Sequence, residues 1–103
     1  MLPQNINLNR KSILVTGAAG FIGANLVMEL LRTVKTCSIV GLDNLNDYYD
    51  VHIKEYRCAE IEKLAKEKTT VHWTFIKGNL ADKDLIEKLF IEFEFDVVVN
   101  LAA

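Results

Sequence analysis

Short apolar segments alternate with longer amphipathic segments along most of the chain. Four segments are short and rich in β-branched, aliphatic or aromatic residues, and they are predicted to be strands: residues 11–16, 38–42, 70–77 and 95–101. Three segments between them carry apolar residues at helical spacing and are predicted to be helices: residues 21–33, 52–67 and 83–94. The first strand is apolar throughout its centre, which is typical of a parallel strand buried on both faces.

The helical patterns also predict which side chains face inward. In the second helix, one face is predicted to hold the apolar residues Ile53, Tyr56, Ile61, Leu64 and Ala65. Lys54 and the other charged residues of this helix are predicted to lie elsewhere. Asp82 directly precedes the third helix, where its carboxylate is placed to accept from the first free amides and to favour the positive end of the helix dipole.

The order of elements predicts the fold. Strands alternating with helices of this length form right-handed crossovers over a parallel sheet. We therefore predict an α/β protein of the Rossmann type, with three α/β/α layers and an incomplete sheet of four strands in the order 3-2-1-4. In the third strand, Val71, Trp73 and Phe75 alternate with polar residues, which predicts one exposed face and a position at the sheet edge.

The strongest chemical signal is the sequence TGAAGFIG at residues 16–23, where the first strand meets the first helix. Gly17 allows a tight turn, Gly20 allows close approach of a ligand, and Gly23 allows the helix to pack on the sheet. Free amides at the helix start form a site for a pyrophosphate. The alternative is that the glycines only permit the turn.

An acidic residue supports the binding hypothesis. Asp43 ends the second strand, 20 residues after Gly23, which is the spacing expected for a carboxylate that accepts from a ribose 2′-hydroxyl. This carboxylate would repel a 2′-phosphate, and residues 44–46 offer no arginine to receive one. The pattern therefore favours NAD over NADP. The alternative is that Asp43 is a turn or cap residue.

Charge and cysteine content limit the expected binding partners and the expected cellular compartment. The chain has 103 residues and a net charge of −2 from 12 basic and 14 acidic side chains, so we expect neither nucleic acid nor a membrane surface as a partner. Cys37 and Cys58 form no disulfide framework, which favours a cytoplasmic protein, and their spacing to the histidines predicts no metal site.

Residues 1–10 are predicted to be a loose leader. The apolar run at residues 97–103 suggests that residues 11–103 are the N-terminal part of a larger NAD-binding domain.

The motifs resemble those of a known family. TGAAGFIG is similar to the TGxxGFIG signature of the extended short-chain dehydrogenase/reductases, which include NAD-dependent sugar-nucleotide epimerases and dehydratases. The likeness continues at the ends of the other strands, and residues 43–50 (DNLNDYYD) resemble the corresponding segment of the UDP-glucuronate 4-epimerases. Tyr48 and Tyr49 either pack on the next helix or contact cofactor or substrate.

The resemblance implies a set of cofactor-binding residues. Five would surround the NAD pyrophosphate: Gly17, Gly20, Phe21, Ile22 and Gly23. Two would lie at the adenosine ribose, Asp43 and Asn44. Two would contact adenine, Asn79 and Leu80, although the family usually has aspartate where Asn79 stands. Three would line the path to the nicotinamide ribose: Leu101, Ala102 and Ala103.

The resemblance also implies a chemistry. In the family, a Tyr-x-x-x-Lys pair and a nearby serine or threonine act on the sugar, and this chain contains no Tyr-x-x-x-Lys. We therefore predict no catalytic residue here and an inactive fragment of a UDP-glucuronate 4-epimerase, which works through a transient 4-keto sugar and feeds polysaccharide synthesis. The alternatives are another nucleotide-sugar dehydratase, decarboxylase or reductase, or a non-catalytic dinucleotide-binding module. The expected partners are NAD, a UDP-sugar, and a second copy as a homodimer or through an edge strand.

Overall fold

The structure is a computed structural model that describes residues 8–45 and 51–102. Seven elements follow one another along the chain: β1 (Lys11–Thr16), α1 (Phe21–Thr33), β2 (Cys37–Asp43), α2 (Val51–Glu67), β3 (Val71–Lys77), α3 (Lys83–Phe93) and β4 (Val97–Asn100). All seven predicted elements are present. The bounds differ from the predicted ones by no more than two residues at either end.

The strands form one parallel sheet in the order β3-β2-β1-β4, which confirms the predicted topology. Ile13 pairs with Ile39 on one side and with Val97 on the other, so β1 is central. β3 lies at one edge, as its alternating pattern predicts, and β4 lies at the other. Because parallel strands end on the same side, the carboxyl ends of β1, β2 and β4 meet along one edge of the sheet.

Helices cover both faces of the sheet, which gives the three predicted layers. One face, called here the α1–α2 face, packs against α1 and α2 around side chains that are almost completely buried, among them Ile13, Ile39, Leu31 and Ile61. The opposite α3 face has Leu14, Val40 and Leu42 as its buried residues, with partly buried side chains of α3 and its flanks against them. Asp82 caps α3 as predicted, since its carboxylate accepts from the amide of Leu85 (3.2 Å).

The predicted inner face of α2 is wrong in its first half. Ile53 and Tyr56 are 45% and 66% exposed, whereas Lys54, predicted to face elsewhere, is only 6% exposed. The face turned inward passes through positions 54, 57, 58 and 61, which is also a helical spacing. The first turn of this face lies against the acidic end of β2 instead of the apolar core. There the buried carboxylate of Asp43 is paired with the side chain of Lys54.

Some predictions fall on residues that are not described. Tyr48, Tyr49 and Ala103 lie outside the described residues, as do residues 1–7 of the predicted leader. Residues 8–10 are described and are attached to the body of the domain: Leu8 packs against the α1–α2 core, and the amide of Arg10 donates to the carbonyl of Thr36 (2.6 Å). Among the residues that the structure describes, no helix is long and apolar enough to cross a membrane.

Candidate functional site

The glycine turn between β1 and α1 is attached to the neighbouring strand. The amides of Gly17 and Ala18 both donate to the carbonyl of Leu42, at 2.8 and 3.3 Å, and the amide of Gly20 donates back to Gly17 (3.0 Å). Gly17 has φ +72°, a left-handed conformation that favours glycine. The turn is therefore held by β2 as well as by its own strand.

Two of the three glycines are required by their own surroundings. A Cβ on Gly17 would lie 2.8 Å from the carbonyl carbon of Leu101 and 2.9 Å from the amide nitrogen of Ala102. A Cβ on Gly23 would overlap the carbonyl group of Gly17. A Cβ on Gly20 would meet one atom within 4 Å, the carbonyl oxygen of Gly17, at a tight 3.2 Å, and this side of Gly20 is otherwise open. The crowding explains Gly17 and Gly23, and the open side of Gly20 leaves room for a ligand.

The start of α1 presents free hydrogen-bond donors. Gly20 is the N-cap and has no side chain to cap the helix. The first hydrogen bond of the helix is donated by the amide of Ala24 to the carbonyl of Gly20 (2.9 Å). Within the described ranges, the amides of Phe21, Ile22 and Gly23 make no hydrogen bond. Free amides and the positive end of the dipole together form a site for an anion such as a pyrophosphate.

Asp43 lies against this turn, as the sequence predicts. Its side chain is almost fully buried, and Oδ2 accepts from the amide of Ala19 (3.0 Å). Oδ1 accepts from the amide of Leu45 (2.8 Å), two residues on, and from Nζ of Lys54 (3.2 Å). The contact with Leu45 shows that the alternative role as a turn aspartate is also real. Asn44 follows Asp43 and is exposed.

Two cations that the sequence analysis did not identify complete this region. Lys54 pairs with Asp43, and Arg57 donates through Nη1 to the carbonyl of Ala19 (3.2 Å). The guanidinium of Arg57 also lies 5.7 Å from the ring centroid of Phe21. The signal that could have found them is their spacing: positions 54, 57 and 61 share one face, and Ile61 is the apolar anchor of that face.

The end of β4 is attached to Thr16 of β1 through both the backbone and the side chain: the amide of Leu101 donates to the carbonyl of Thr16 (3.1 Å), and the Thr16 hydroxyl adds further hydrogen bonds. The amides of Leu101 and Ala102 donate to Oγ1 of Thr16, at 3.2 and 3.4 Å, and this hydroxyl donates to Oδ1 of Asn100 (2.5 Å). Leu101 and Ala102 are thereby held against Gly17. Thr16 is a positioning residue that the sequence analysis did not assign.

Asn79 and Leu80 follow β3, on the far side of β2 from β1. The amide of Gly78 donates to the backbone carbonyl of Asp43 (3.1 Å), which brings this segment to the same edge of the sheet. Oδ1 of Asn79 accepts from the amide of Ala81 (2.9 Å), so the oxygen supports a turn. Leu80 is 41% exposed. The predicted adenine residues are therefore at the site edge, with the side-chain oxygen of Asn79 already engaged.

Neither Cys58, on α2, nor Cys37, at the start of β2, has an activated thiol. Burial first, and then the carboxylate of Asp43, raise the pKa of the Cys58 thiol, and burial raises the pKa of Cys37. A raised pKa keeps a thiol neutral and weakly nucleophilic. In the part of the chain that the structure describes, no group of three histidine, cysteine or acidic side chains is arranged to hold a metal ion.

The chain is similar to sugar-nucleotide enzymes in sequence. The family model described as GDP-mannose 4,6 dehydratase matches residues 14–103. Protein CapI of Staphylococcus aureus is 41% identical over 91 residues, which are 88% of this chain and 25% of the relative. UDP-glucuronate 4-epimerase 2 of Arabidopsis thaliana is 39% identical over 95 residues, which are 92% of this chain and 20% of the relative.

The likeness extends to solved structures. A dTDP-glucose 4,6-dehydratase from Bacillus anthracis in complex with NAD superposes with a TM-score of 0.70 at 31% identity, over 90% of this chain and 27% of that one. The chain thus spans about a quarter of the solved structure and a quarter to a fifth of the curated relatives. The matched part holds the glycine turn, Asp43 and the end of β4.

Proposed function

The chain belongs to the GDP-mannose 4,6-dehydratase family, and we propose that it is the NAD-binding part of an enzyme that modifies a nucleotide-linked sugar. One observation carries the proposal. The buried carboxylate of Asp43 accepts from the glycine turn at Ala19, beside three amides of α1 that make no hydrogen bond within the described residues. Donors for a pyrophosphate and an acceptor for a ribose are thus held together before any ligand binds.

Each half of the cofactor has residues suited to it. The free amides of α1 fit the negative pyrophosphate, and the open side of Gly20 fits its close approach. A carboxylate has about four acceptor positions, of which Asp43 uses three, and the remaining one suits a ribose hydroxyl. We assign Asn44 to the same ribose, Asn79 and Leu80 to adenine, and Leu101, Ala102 and Ala103 to the path toward nicotinamide.

The charge at Asp43 favours NAD over NADP. A 2′-phosphate carries up to two negative charges and would lie next to the carboxylate, whereas a 2′-hydroxyl donates to it. The NAD bound in the Bacillus anthracis structure supports this choice.

For the whole protein, we propose a UDP-glucuronate 4-epimerase. The four strand ends, the DNLNDYYD segment and the Arabidopsis relatives of that name support the assignment. Bound NAD would supply the reversible hydride transfer at C4 of the sugar that this reaction needs. The chain's own residues bind and orient the cofactor, and none of them is assigned a catalytic role because the chain has no Tyr-x-x-x-Lys.

A 4,6-dehydratase is the second candidate for the whole protein. It is favoured by the Bacillus anthracis structure and by the Dictyostelium discoideum relative named dTDP-D-glucose 4,6-dehydratase, which is 37% identical over 93 residues. Both candidates need the same NAD site. A cytoplasmic enzyme of polysaccharide synthesis accords with both, and the free thiols of Cys37 and Cys58 support that compartment.

Isothermal titration calorimetry tests the NAD site directly. We expect the chain to bind NAD in the millimolar range or tighter and to bind NADP at least tenfold more weakly. Gly20→Ala should reduce NAD binding at least tenfold with an unchanged far-ultraviolet circular dichroism spectrum, because its Cβ enters the ligand space and φ −71° accepts alanine. Absence of heat with NAD and with ADP-ribose at millimolar concentration would contradict the proposal.

We also propose that the chain self-associates through β4. This strand pairs with β1 on one side and lies at the sheet edge on the other, and Val98 in its middle is 48% exposed. Unpaired backbone groups of an apolar edge strand are a template for pairing with a second copy.

A further inference from the structure

The segment after β3 lies next to the proposed ribose site. The proposed pyrophosphate site is at the end of β1 and the proposed ribose site is at the end of β2, and β3 is the next strand in the same direction across the sheet. The amide of Gly78 donates to the backbone carbonyl of Asp43 (3.1 Å), and Asn79 and Leu80 follow directly. A base attached to a ribose at Asp43 therefore has these two exposed residues as its neighbours.

The side chain of Asn79 presents donors to such a base. Its Oδ1 accepts from the amide of Ala81 (2.9 Å), and its backbone carbonyl accepts from the amide of Asp82 (2.9 Å). Because a backbone amide donates only to an acceptor, the bond from Ala81 fixes the oxygen of the side chain toward the turn. The other end of the side chain is Nδ2, which carries two hydrogens and accepts nothing.

Leu80 supplies a second donor beside the first. Its amide makes no hydrogen bond within the described part of the chain, whereas the amides of Ala81 and Asp82 are both bonded inside the turn. The side chain of Leu80 is 41% exposed and offers an apolar surface to a flat ring. The segment thus combines two neighbouring donors with an apolar contact.

Purines differ at the edge that such donors contact. Adenine carries an amino donor at C6 next to the acceptor N7, whereas a 6-oxopurine such as hypoxanthine or guanine carries the acceptor O6 next to N7. Two neighbouring donors therefore match both atoms of the O6 and N7 pair. They match only one atom of adenine and leave its amino group opposite another donor.

We propose that Asn79 and Leu80 make this base site accept a 6-oxopurine at least as readily as adenine, an inference that rests on the proposed NAD site. Nδ2 of Asn79 donates to O6, and the amide of Leu80 donates to N7. With adenine, only one of the two donors finds an acceptor. Asn79 is thus a specificity-determining residue, because its amide oxygen is engaged by Ala81 and does not receive the adenine amino group.

Isothermal titration calorimetry with NAD and nicotinamide hypoxanthine dinucleotide, which differ in the purine alone, tests the proposal. The affinity of the original chain for the hypoxanthine dinucleotide should be equal to that for NAD or higher. Asn79→Asp keeps an oxygen for the amide of Ala81 and replaces Nδ2 with a second oxygen, which accepts from the adenine amino group and repels O6. This variant should shift the ratio of the two affinities toward NAD by about fivefold or more.

Ala81→Asp is the matched control. Ala81 is exposed in the same turn, so this variant adds the same charge and leaves Nδ2 of Asn79 in place. It should change both affinities by the same factor. The proposal is overturned if the original chain binds NAD more tightly than the hypoxanthine dinucleotide, or if Asn79→Asp and Ala81→Asp have the same ratio of affinities. Should Asn79→Asp not fold, the two affinities of the original chain decide.

Mononucleotides keep this inference distinct from the proposed function. IMP should raise the melting temperature of the original chain at least as much as AMP does, and Asn79→Asp should make AMP the more effective of the two. If the original chain binds neither dinucleotide, the proposed function fails and the mononucleotides decide the role of Asn79; no shift with either one overturns that role as well. If NAD binds more tightly than the hypoxanthine dinucleotide, only the base preference is wrong.

Discussion

The two faces of the sheet differ in how completely they are covered. On the α1–α2 face, two helices bury side chains such as Leu31 and Ile61 to 0% exposure. On the α3 face, one helix covers the sheet, and its own Phe90 and Ile91 remain 43% and 79% exposed. The same sheet therefore has one closed face and one open face.

The candidate site is divided in the same way. Ala18 and Ala19 in the glycine turn are completely buried, and the middle of α2 contacts the turn through Arg57. Leu101, at the end of β4, is 39% exposed. The proposed pyrophosphate and ribose half is therefore supported by tertiary packing, whereas the proposed path to nicotinamide is held mainly by hydrogen bonds to the carbonyl and hydroxyl of Thr16.

The largest effect is expected at the contact between the turn and α1. Gly23→Ala places a methyl group on the carbonyl of Gly17, which β2 holds in place, so we expect a loss of about 3 kcal/mol or more in the free energy of unfolding. Gly20→Ala is the matched comparison and should cost less, at most about 1 kcal/mol, because its Cβ lies 3.2 Å from the same oxygen, a contact that a small shift relieves. Urea denaturation measures both, and equal losses would contradict the assigned difference.

The next largest effect compares the stability lost when a leucine is truncated on each face of the sheet. Leu31→Ala on the closed face should cost about 3 kcal/mol, because Leu31 is fully buried in the core. Leu85→Ala on α3 removes the same atoms from a partly buried position against Leu42 and its neighbours, and it should cost about 1 kcal/mol. Chemical denaturation measures the free energy of unfolding of both variants. A Leu85→Ala variant as unstable as Leu31→Ala would show that the α3 face is equally well packed.

A smaller effect concerns association at the open edge. Val98→Lys should reduce concentration-dependent sedimentation, because a charged side chain on an edge strand opposes pairing with another chain. Thr74→Lys adds the same charge on β3, at the opposite edge, and should leave sedimentation unchanged. A strictly monomeric profile of the original chain at high concentration would overturn the self-association proposal.

The smallest effect is a pH dependence that belongs to the closed face. Burial raises the folded-state pKa of Cys37 and of Cys58 above the ordinary thiol value of 9.0. The folded state then holds these protons more tightly than the unfolded state, so their stabilising contribution is complete below pH 9 and is lost as pH rises through the raised pKa. Melting temperatures from pH 8 to 10 should fall less steeply for the Cys37→Ala, Cys58→Ala variant; an identical slope would exclude the thiols as the cause.

Sequence periodicity predicted the helices and strands reliably, but it did not predict which side chains of α2 face inward. It placed β2 and α2 within two residues of their observed bounds, because strand and helix spacing depend on local backbone geometry. It misplaced Ile53, Tyr56 and Lys54, because a hydrophobic pattern shows which residues share a face but not what that face meets. Around position 54 the neighbour is the carboxylate of Asp43, and a charge match outweighed hydrophobicity.

The sequence by itself determined the order of the elements, the position of the glycine turn and the acidic end of β2. These features depend on residue types within a few positions of each other, where glycine conformation and helix-end chemistry act locally. Only the tertiary structure decided that Lys54 and Arg57 reach the turn and that Thr16 holds Leu101. Those contacts join residues from 11 to 85 positions apart, and they follow from the packing of α2 and β4 against the sheet, which no local pattern encodes.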